Sequence, residues 1–369
     1  MNIHKFLELT VEKKASDLHL KASSVPTLRI NGVLEPVRGE PPLTSRDTIE
    51  AFEGLTDEKQ RETFYRESEL DFAYNIPGKA RFRVNIAMQR GSVCLSLRFI
   101  LLEVPTIEQF ALPEVCKSLI LKPRGLVLLT GPTGSGKSTT LAAMINYLNN
   151  QEKRKVICIE DPIEFVHRDK ECFIIQRELG EDTRSFAAAL IHSLRQDPDV
   201  ILVGEMRDLE TMSTAITAAE TGHLVLSTLH TIGAAATIDR IIDVFPPYQQ
   251  PQIRSQLAIV LQAVMTQVLL PRADGNGRTA AFEIMLGNYA IGSLIRESRI
   301  HEISSVLEVS SQQGMHTLDQ DLERLVKDGL VTIDNALMNA NRPDILRGKL
   351  FSALKARGTK EVTHLGRQK

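Results

Sequence analysis

The sequence predicts an α/β protein, with a parallel-sheet core over residues 113–290 and a smaller α+β domain over residues 1–100. Three observations carry this. Four continuous apolar runs (GLVLLT, VICIE, VILVGE and LVLSTL) are separated by helical segments, as suits strands buried on both faces of a parallel sheet. The first hundred residues instead alternate apolar and polar positions, which describes a sheet with one open face. With 369 residues, 43% hydrophobic and 24% charged, the chain has the length for two or three domains and an ordinary globular composition.

The opening MNIHKFLELTVEKKASDLHL mixes acids and bases and lacks the apolar block of a signal peptide. It reads as an amphipathic helix with Ile3, Phe6, Leu7 and Val11 on one side. Short strands follow in PTLRINGVLEPV, ARFRVNIAM and SVCLSLRFI. In the second of them Phe82, Val84 and Ile86 share one face, and Arg81, Arg83 and Asn85 the other. The stretch LLEVPTIEQFALPEV carries two prolines and reads as a linker over 101–112. Between two of the core runs, RDLETMSTAITAAETG places Leu209, Met212 and Ile216 at helical spacing and closes on Gly222, a C-terminal cap. Residues 291–355 read as mostly helical, and the tail at 356–369 is expected to be disordered because it has little to bury.

No apolar run approaches the ~20 residues of a membrane span, so membrane insertion is not expected. The net charge of -2 gives no general pull toward nucleic acid or anionic lipid. Cys94, Cys116, Cys158 and Cys172 lie far apart without a C-x-x-C pair, which suits reduced thiols in a cytoplasmic protein. Cys158, inside an apolar run, is expected to be a small core residue.

The segment GLVLLTGPTGSGKSTTLAAMINYL supplies strand, glycine loop and helix in that order. Gly131, Gly136, Lys137 and Ser138 satisfy G-x-x-x-x-G-K-[ST], with Gly134 as an extra glycine. Such a loop needs glycines because its N–H groups must turn inward around phosphate oxygens, in conformations a side chain obstructs. The helix beginning near Lys137 adds its positive N-terminal end. Gly131, Pro132, Thr133, Gly134, Ser135, Gly136, Lys137, Ser138 and Thr139 are therefore the expected nucleotide contacts. Within that set Lys137 is assigned to the β- and γ-phosphates and Ser138 to Mg²⁺. No N-K-x-D-type guanine-reading sequence is present, which favours ATP.

Two of the apolar runs end in acids. VICIEDPIEF gives Glu160, Asp161 and Glu164, and PDVILVGEMRD gives Glu205. Ligands of an open α/β sheet collect beyond the C-terminal strand ends, so these acids belong beside the glycine loop. Glu205 is the candidate general base or water-orienting residue, with Glu160 and Glu164 supporting metal or water and roles exchangeable among them. Glu160 and Glu205 are the candidate metal carboxylates. Gly204 stands where an aspartate usually precedes the catalytic acid.

The run TGHLVLSTLHT puts a histidine at each end of a strand. Seven extended residues span roughly 23 Å and send the two rings to opposite faces, so a shared zinc requires the strand to end early. His230, at the C-terminal end, is placed to bond the γ-phosphate and sense its loss. His223 remains open between a core histidine bonded to backbone and a partner of a carboxylate or a neighbouring domain.

Four segments together resemble the signature of the secretion and type IV pilus ATPases. GPTGSGKST (131–139) is similar to their Walker A box and EDPIEFVH (160–167) to their Asp box. DPDVILVGEMRD (197–208) matches their atypical Walker B box and TGHLVLSTLHT (221–231) their His box. Within that superfamily the chain most resembles the pilus retraction ATPases, the PilT type. It is short, it lacks a tetracysteine zinc insertion, and AIGSLIRE (290–297) agrees with the retraction motif AIRNLIRE at six of eight positions. Gly292 and Ser293 replace the motif's arginine and asparagine, and TIGAAATIDR after His230 carries an unusual Ile-Gly.

The resemblance implies a PAS-like N-terminal domain, a RecA-like P-loop core and a homohexameric ring that hydrolyses ATP with Mg²⁺. It implies an inner-membrane pilus platform as partner, with a paralogous retraction ATPase as a further one, and arginines approaching the phosphates. Arg98 and Arg81 are the preferred candidates for the latter, with Arg83 beside them, while Arg195 and Arg207 are expected as salt-bridge partners near the sheet end. The rival readings are a pilus extension or type II secretion ATPase, a partner-dependent auxiliary subunit, and a nucleic-acid motor. No tryptophan and few tyrosines weigh against the stacking platform the last one needs.

Overall fold

A computed structural model of the chain describes residues 1–30, 32–76, 79–100 and 104–352. Its contacts divide it into two units: Met1–Val104 with Glu164–Val166, and Pro105–Ile163 with the chain from His167 onward.

In the first unit, helix α1 (Ile3–Glu12) starts at Asn2, whose side chain accepts from the His4 N–H. It buries Ile3, Phe6 and Leu7 on the spacing read from the sequence. Strands β1 (Asp17–Lys21), β2 (Thr27–Ile30) and β3 (Val33–Pro36) come next, then helices α2 (Ser45–Leu55) and α3 (Glu58–Glu67). Both helices open with reciprocal capping pairs, Thr44 with Asp47 and Asp57 with Gln60. Strands β4 (Glu69–Ile76), β5 (Ala80–Gln89) and β6 (Ser92–Ile100) complete an antiparallel sheet in the order β3-β2-β1-β6-β5-β4. Phe82, Val84 and Ile86 of β5 are fully buried with Phe6, Phe52 and Phe64, as the alternation requires.

The second unit contains α4 (Val115–Ile120), β7 (Gly125–Thr130), α5 (Lys137–Asn149), β8 (Lys155–Glu160) and β9 (Phe173–Glu178). It continues through α6 (Phe186–Ser193), β10 (Val200–Val203), α7 (Leu209–Glu220), β11 (Leu224–Leu229), α8 (Ala234–Val244) and α9 (Gln250–Val260). The long hairpin β12 (Leu261–Pro271) and β13 (Arg278–Leu286) precedes α10 (Tyr289–Arg296), α11 (Ile303–Val309), α12 (Leu318–Lys327) and α13 (Ile333–Asn339). The sheet order is β13-β12-β7-β11-β10-β8-β9, parallel throughout except for the antiparallel β12–β13 pair. Side chains alternate between its two faces. Leu126, Leu128, Ile157, Ile201 and Val225 pack with residues of α7, α8 and α9, while Val127, Leu129, Cys158, Leu202 and Leu226 pack with α4 and α5. The continuous apolar runs are thus strands covered on both sides, and Cys158 is core.

Helix α7 stops at Glu220, and Gly222 follows with a φ of 118°, a left-handed position suited to a helix end. Leu209, expected on the buried face, is instead exposed at the first turn. The predicted linker divides at Pro105. From Pro105 on, the segment belongs to the second unit, where Ile107 and Leu112 are buried with Leu119 and Ile120. Two apolar anchors decide its placement despite the prolines. In the region after 290, read as mostly helical, Ile291, Ile295, Ile303 and Leu307 join the core of this unit. Residues 101–103 of that linker and the tail predicted to be disordered, 356–369, lie outside the described residues.

Candidate nucleotide site

The glycine loop leaves β7 at Gly131 and enters α5 at Lys137. Gly131, Gly134 and Gly136 have φ values of 133°, 78° and 89°, the region where only glycine is unstrained. Gly136 sits at the N-cap of α5 and provides no side-chain cap, so the first N–H groups of the helix are left for a ligand. The Ser135 hydroxyl is buried without a hydrogen-bond partner, and the Ser138 side chain is exposed at the first turn. Lys137 is only 8% exposed. Its Nζ donates to the carbonyls of Gly131 at 2.8 Å and Pro132 at 3.0 Å. These features fit a phosphate chain.

Sheet order explains how the distant boxes meet. Strand β11 lies between β7 and β10, with Leu229 opposite Thr130 and Ser227 opposite Val203. His230 therefore emerges between the glycine loop and the end of β10. Its Nε2 lies 3.3 Å from Glu205 Oε2, and its Nδ1 lies 3.4 Å from Thr133 Oγ1, a long hydrogen bond. A carboxylate only accepts, so the proton between His230 and Glu205 is on Nε2, while Nδ1 and the Thr133 hydroxyl share the longer contact. Glu205 also pairs with Arg207 at 2.8 Å, the partnership expected of that arginine. Burial works to raise the Glu205 carboxyl, but the Arg207 hydrogen bond and the His230 and Arg207 charges outweigh it and hold it below its ordinary 4.5.

Glu160 ends β8, next to β10, and accepts from Gln176 Nε2 at 2.9 Å. Gln176 in turn accepts from the His167 N–H at 2.9 Å, so this glutamine of β9 orients the acid. Gly204 follows from the same closeness of β8 and β10. Its N–H donates to Ile159 O at 2.7 Å, and a Cβ there would stand 3.1 Å from that oxygen and 3.4 Å from Glu160 Cα. A side chain at 204 requires the β8 backbone to give by a few tenths of an ångström. Gly204→Asp should therefore cost about 1–3 kcal/mol in denaturant unfolding and gain no ATPase activity. Wild-type stability in that variant would remove this explanation of the glycine.

Several other candidates lie elsewhere. His223 is at the N-terminal end of β11, which runs its full length. Its Nδ1 bonds the Ala218 carbonyl at 2.9 Å, closing α7, so of the two readings of this ring the backbone-bonded one describes it. Glu164 is exposed and groups with the first unit, and Asp161 is exposed after β8. Arg81, Arg83 and Arg98 belong to the first unit, on β5 and β6, with Arg83 opposite Arg98. Arg81 bonds Asn75 at 3.2 Å, and Arg98 bonds Asp17 at 2.9 Å.

The unusual Ile-Gly after His230 also finds a reason. Gly233 precedes α8 with a φ of 97° and no side-chain cap, and the cap comes from Glu283 of β13, which accepts the Ala234 N–H at 2.8 Å. Burial pushes the Glu283 carboxyl above its ordinary 4.5. A carboxyl raised on folding binds more protons folded than unfolded, so it costs stability as pH climbs past the ordinary value. Glu283→Gln should flatten that part of the stability profile in thermal denaturation; an unchanged slope would assign it to another group.

Two site residues escaped the sequence reading, Gln176 and, under the glycine loop, Gln267 of β12. Each is a glutamine adjoining an apolar run (FII before Gln176, VLL after Gln267), and that position is the available signal.

Residues 108–338 match a family described as type II/IV secretion system protein. The chain is 47% identical over 344 residues to the type IV pilus retractation ATPase PilT of Pseudomonas aeruginosa, covering 93% of this chain and 99% of that one. It is 46% identical over 323 residues to a twitching motility protein of Neisseria gonorrhoeae, covering 88% and 86%. The crystal structure of the pilus retraction motor PilT with bound ADP superposes with a TM-score of 0.88 at 44% identity, covering 94% of this chain and 99% of that one.

Proposed function

The chain belongs to the type II/IV secretion system protein family, and from that premise we propose that it is an ATP-hydrolysing motor powering type IV pilus retraction and twitching motility. The observation that carries this reading is the path from Thr133 of the glycine loop through His230 to Glu205. A terminal phosphate arriving beside Thr133 would meet His230, and its departure would change what His230 and Glu205 hold. The site then reports its own hydrolysis.

In this reading Gly131–Thr139 hold the triphosphate, and Lys137 neutralises its β- and γ-oxygens. Magnesium, which takes few protein ligands, would be held by Ser138, with Glu160 and Glu205 as the candidate carboxylates, and would supply charge neutralisation at the phosphates. Glu205 orients the attacking water. The working unit is a homohexamer acting on a platform protein at the inner membrane from the cytoplasmic side, with a paralogous retraction ATPase as a further partner. Among the described residues no helix is long and apolar enough to cross a membrane. Arg81, Arg83 and Arg98 remain the candidates for approaching the phosphates.

The retraction motif fits this reading once its departures are explained. Gly292 of α10 faces α9, and a Cβ there would stand 3.0 Å from Ala258 O. The glycine thus permits a close helix contact, against the roughly 1 kcal/mol it costs a helix. Ser293 is spent within the helix, donating to Glu297 at 2.9 Å.

The test is a gene deletion together with an ATPase assay on the purified protein. Retraction requires excess surface pili and no twitching in the deletion strain, and ATP turnover by the protein alone. Loss of pili on deletion would assign the protein to extension instead.

A further inference from the structure

Strand β7 ends at Thr130, but its parallel neighbour β12 does not end with it. The two pair up to Thr266 opposite Thr130, where their hydroxyls bond at 2.8 Å, and β12 then continues to Pro271. Residues beyond 266 therefore run beneath the glycine loop as a floor. Gln267 is the first of them and is 2% exposed.

This one residue touches the loop at both of its ends. A Cβ on Gly131 would stand 2.2 Å from the Gln267 carbonyl oxygen, so the loop's first glycine is pressed against the β12 backbone. A Cβ on Gly136 would stand 2.9 Å from Gln267 Nε2, so the last glycine rests on the side-chain amide. Gln267 Oε1 accepts from Thr140 Oγ1 at 2.8 Å, in the first turn of α5, and Thr140 is 1% exposed. The glycines at 131 and 136 thus meet two demands, a left-handed φ and a close approach to the same glutamine.

We propose that Gln267 is a positioning residue for the nucleotide, acting through the loop. Its amide fixes the separation between the strand end and the start of α5, and so the direction in which the loop N–H groups and the first turn of α5 point. Phosphate affinity in such loops depends on donors already aimed at the anion before it arrives. A neutral amide suits the place, because a carboxylate there would oppose the phosphates, and an apolar side chain would leave the buried Thr140 hydroxyl without this acceptor.

This inference rests on the ATPase reading, and the experiment separates the two. Dissociation constants for ADP and magnesium-ATP, steady-state kinetics and the melting temperature of nucleotide-free protein are measured for the wild type, Gln267→Met, Thr140→Val, Thr140→Ser and the Gln267→Met/Thr140→Val double variant. Gln267→Met should weaken binding about tenfold or more and raise KM to match, with kcat at saturating ATP within about twofold, the pattern of lost ground-state binding. Thr140→Val should weaken binding in the same sense and Thr140→Ser should restore it. The double variant should be no worse than the poorer single one, since both remove one bond. Should Gln267→Met fail to fold, the Val-against-Ser contrast at Thr140 decides alone. Unchanged affinity in the variants, a fall in kcat without a change in KM, or additive losses in the double variant overturn the inference. A wild-type protein that binds no nucleotide overturns the ATPase reading and this inference with it.

Discussion

Lys137→Ala will leave a folded protein whose ATPase activity falls on the order of 10²- to 10³-fold, the range expected when one preorganised donor to a developing charge is removed. The argument starts from where the lysine is. Lys137 is 8% exposed and its ammonium donates to the carbonyls of Gly131 and Pro132, so the loop holds the charge within its own turn. Alanine removes the charge facing the phosphates and also releases two loop carbonyls. Lys137→Met separates these effects, because it keeps a buried apolar stem of similar length while removing the charge. If charge dominates, both variants lose the ADP-induced rise in melting temperature. Should Lys137→Met bind ADP with wild-type affinity, the ammonium serves the loop's shape alone and the phosphate assignment fails.

The glycine loop was readable because its chemistry is local: strand, turn and helix are contiguous, and each glycine answers to a nearby backbone demand. Glu205 and His230 were readable as polar residues ending buried strands, but the contact between them was not. It depends on β11 lying between β7 and β10, an arrangement made by pairing distant segments. The pair of histidines shows the limit well. Both end the same apolar run, yet one reaches the glycine loop and the other closes the preceding helix, because parallel strands present only their C-terminal ends to the site. Gly204 looked like a departure from the expected acid, and its reason, the closeness of β8, lies in a strand forty-odd residues earlier. The hairpin of β12 and β13 carries a turn signal in ADGNG, and Gln267 lies on its first strand. From Pro105 on, the prolines of the predicted linker matter less than Ile107 and Leu112, which the core of the second unit buries.

Glu205→Gln should bind magnesium-ATP with near-wild-type affinity and turn it over on the order of 10²- to 10⁴-fold more slowly, the range for a lost acid–base or water-orienting group. Glutamine has the same shape and retains an oxygen for His230 and Arg207, so the link to Thr133 survives and ground-state binding is spared. What it loses is the negative charge. Arg207 and His230 hold that carboxyl below 4.5, so it is ionised throughout the neutral range and is a weak proton acceptor. In the proposed reading it acts chiefly by orienting water, with the proton leaving toward phosphate. Two consequences follow for the pH dependence. A carboxyl lowered on folding contributes stability that is present above its ordinary value and lost as pH falls through the folded one, so wild type should lose more stability than Glu205→Gln under acid. Turnover of the wild type should show no Glu205 ionisation between about pH 6 and 8. A kinetic group in that interval that vanishes in Glu205→Gln would make this acid a true proton acceptor, and full turnover by the variant would move the role to Glu160, the acid that Gln176 holds on the adjacent strand.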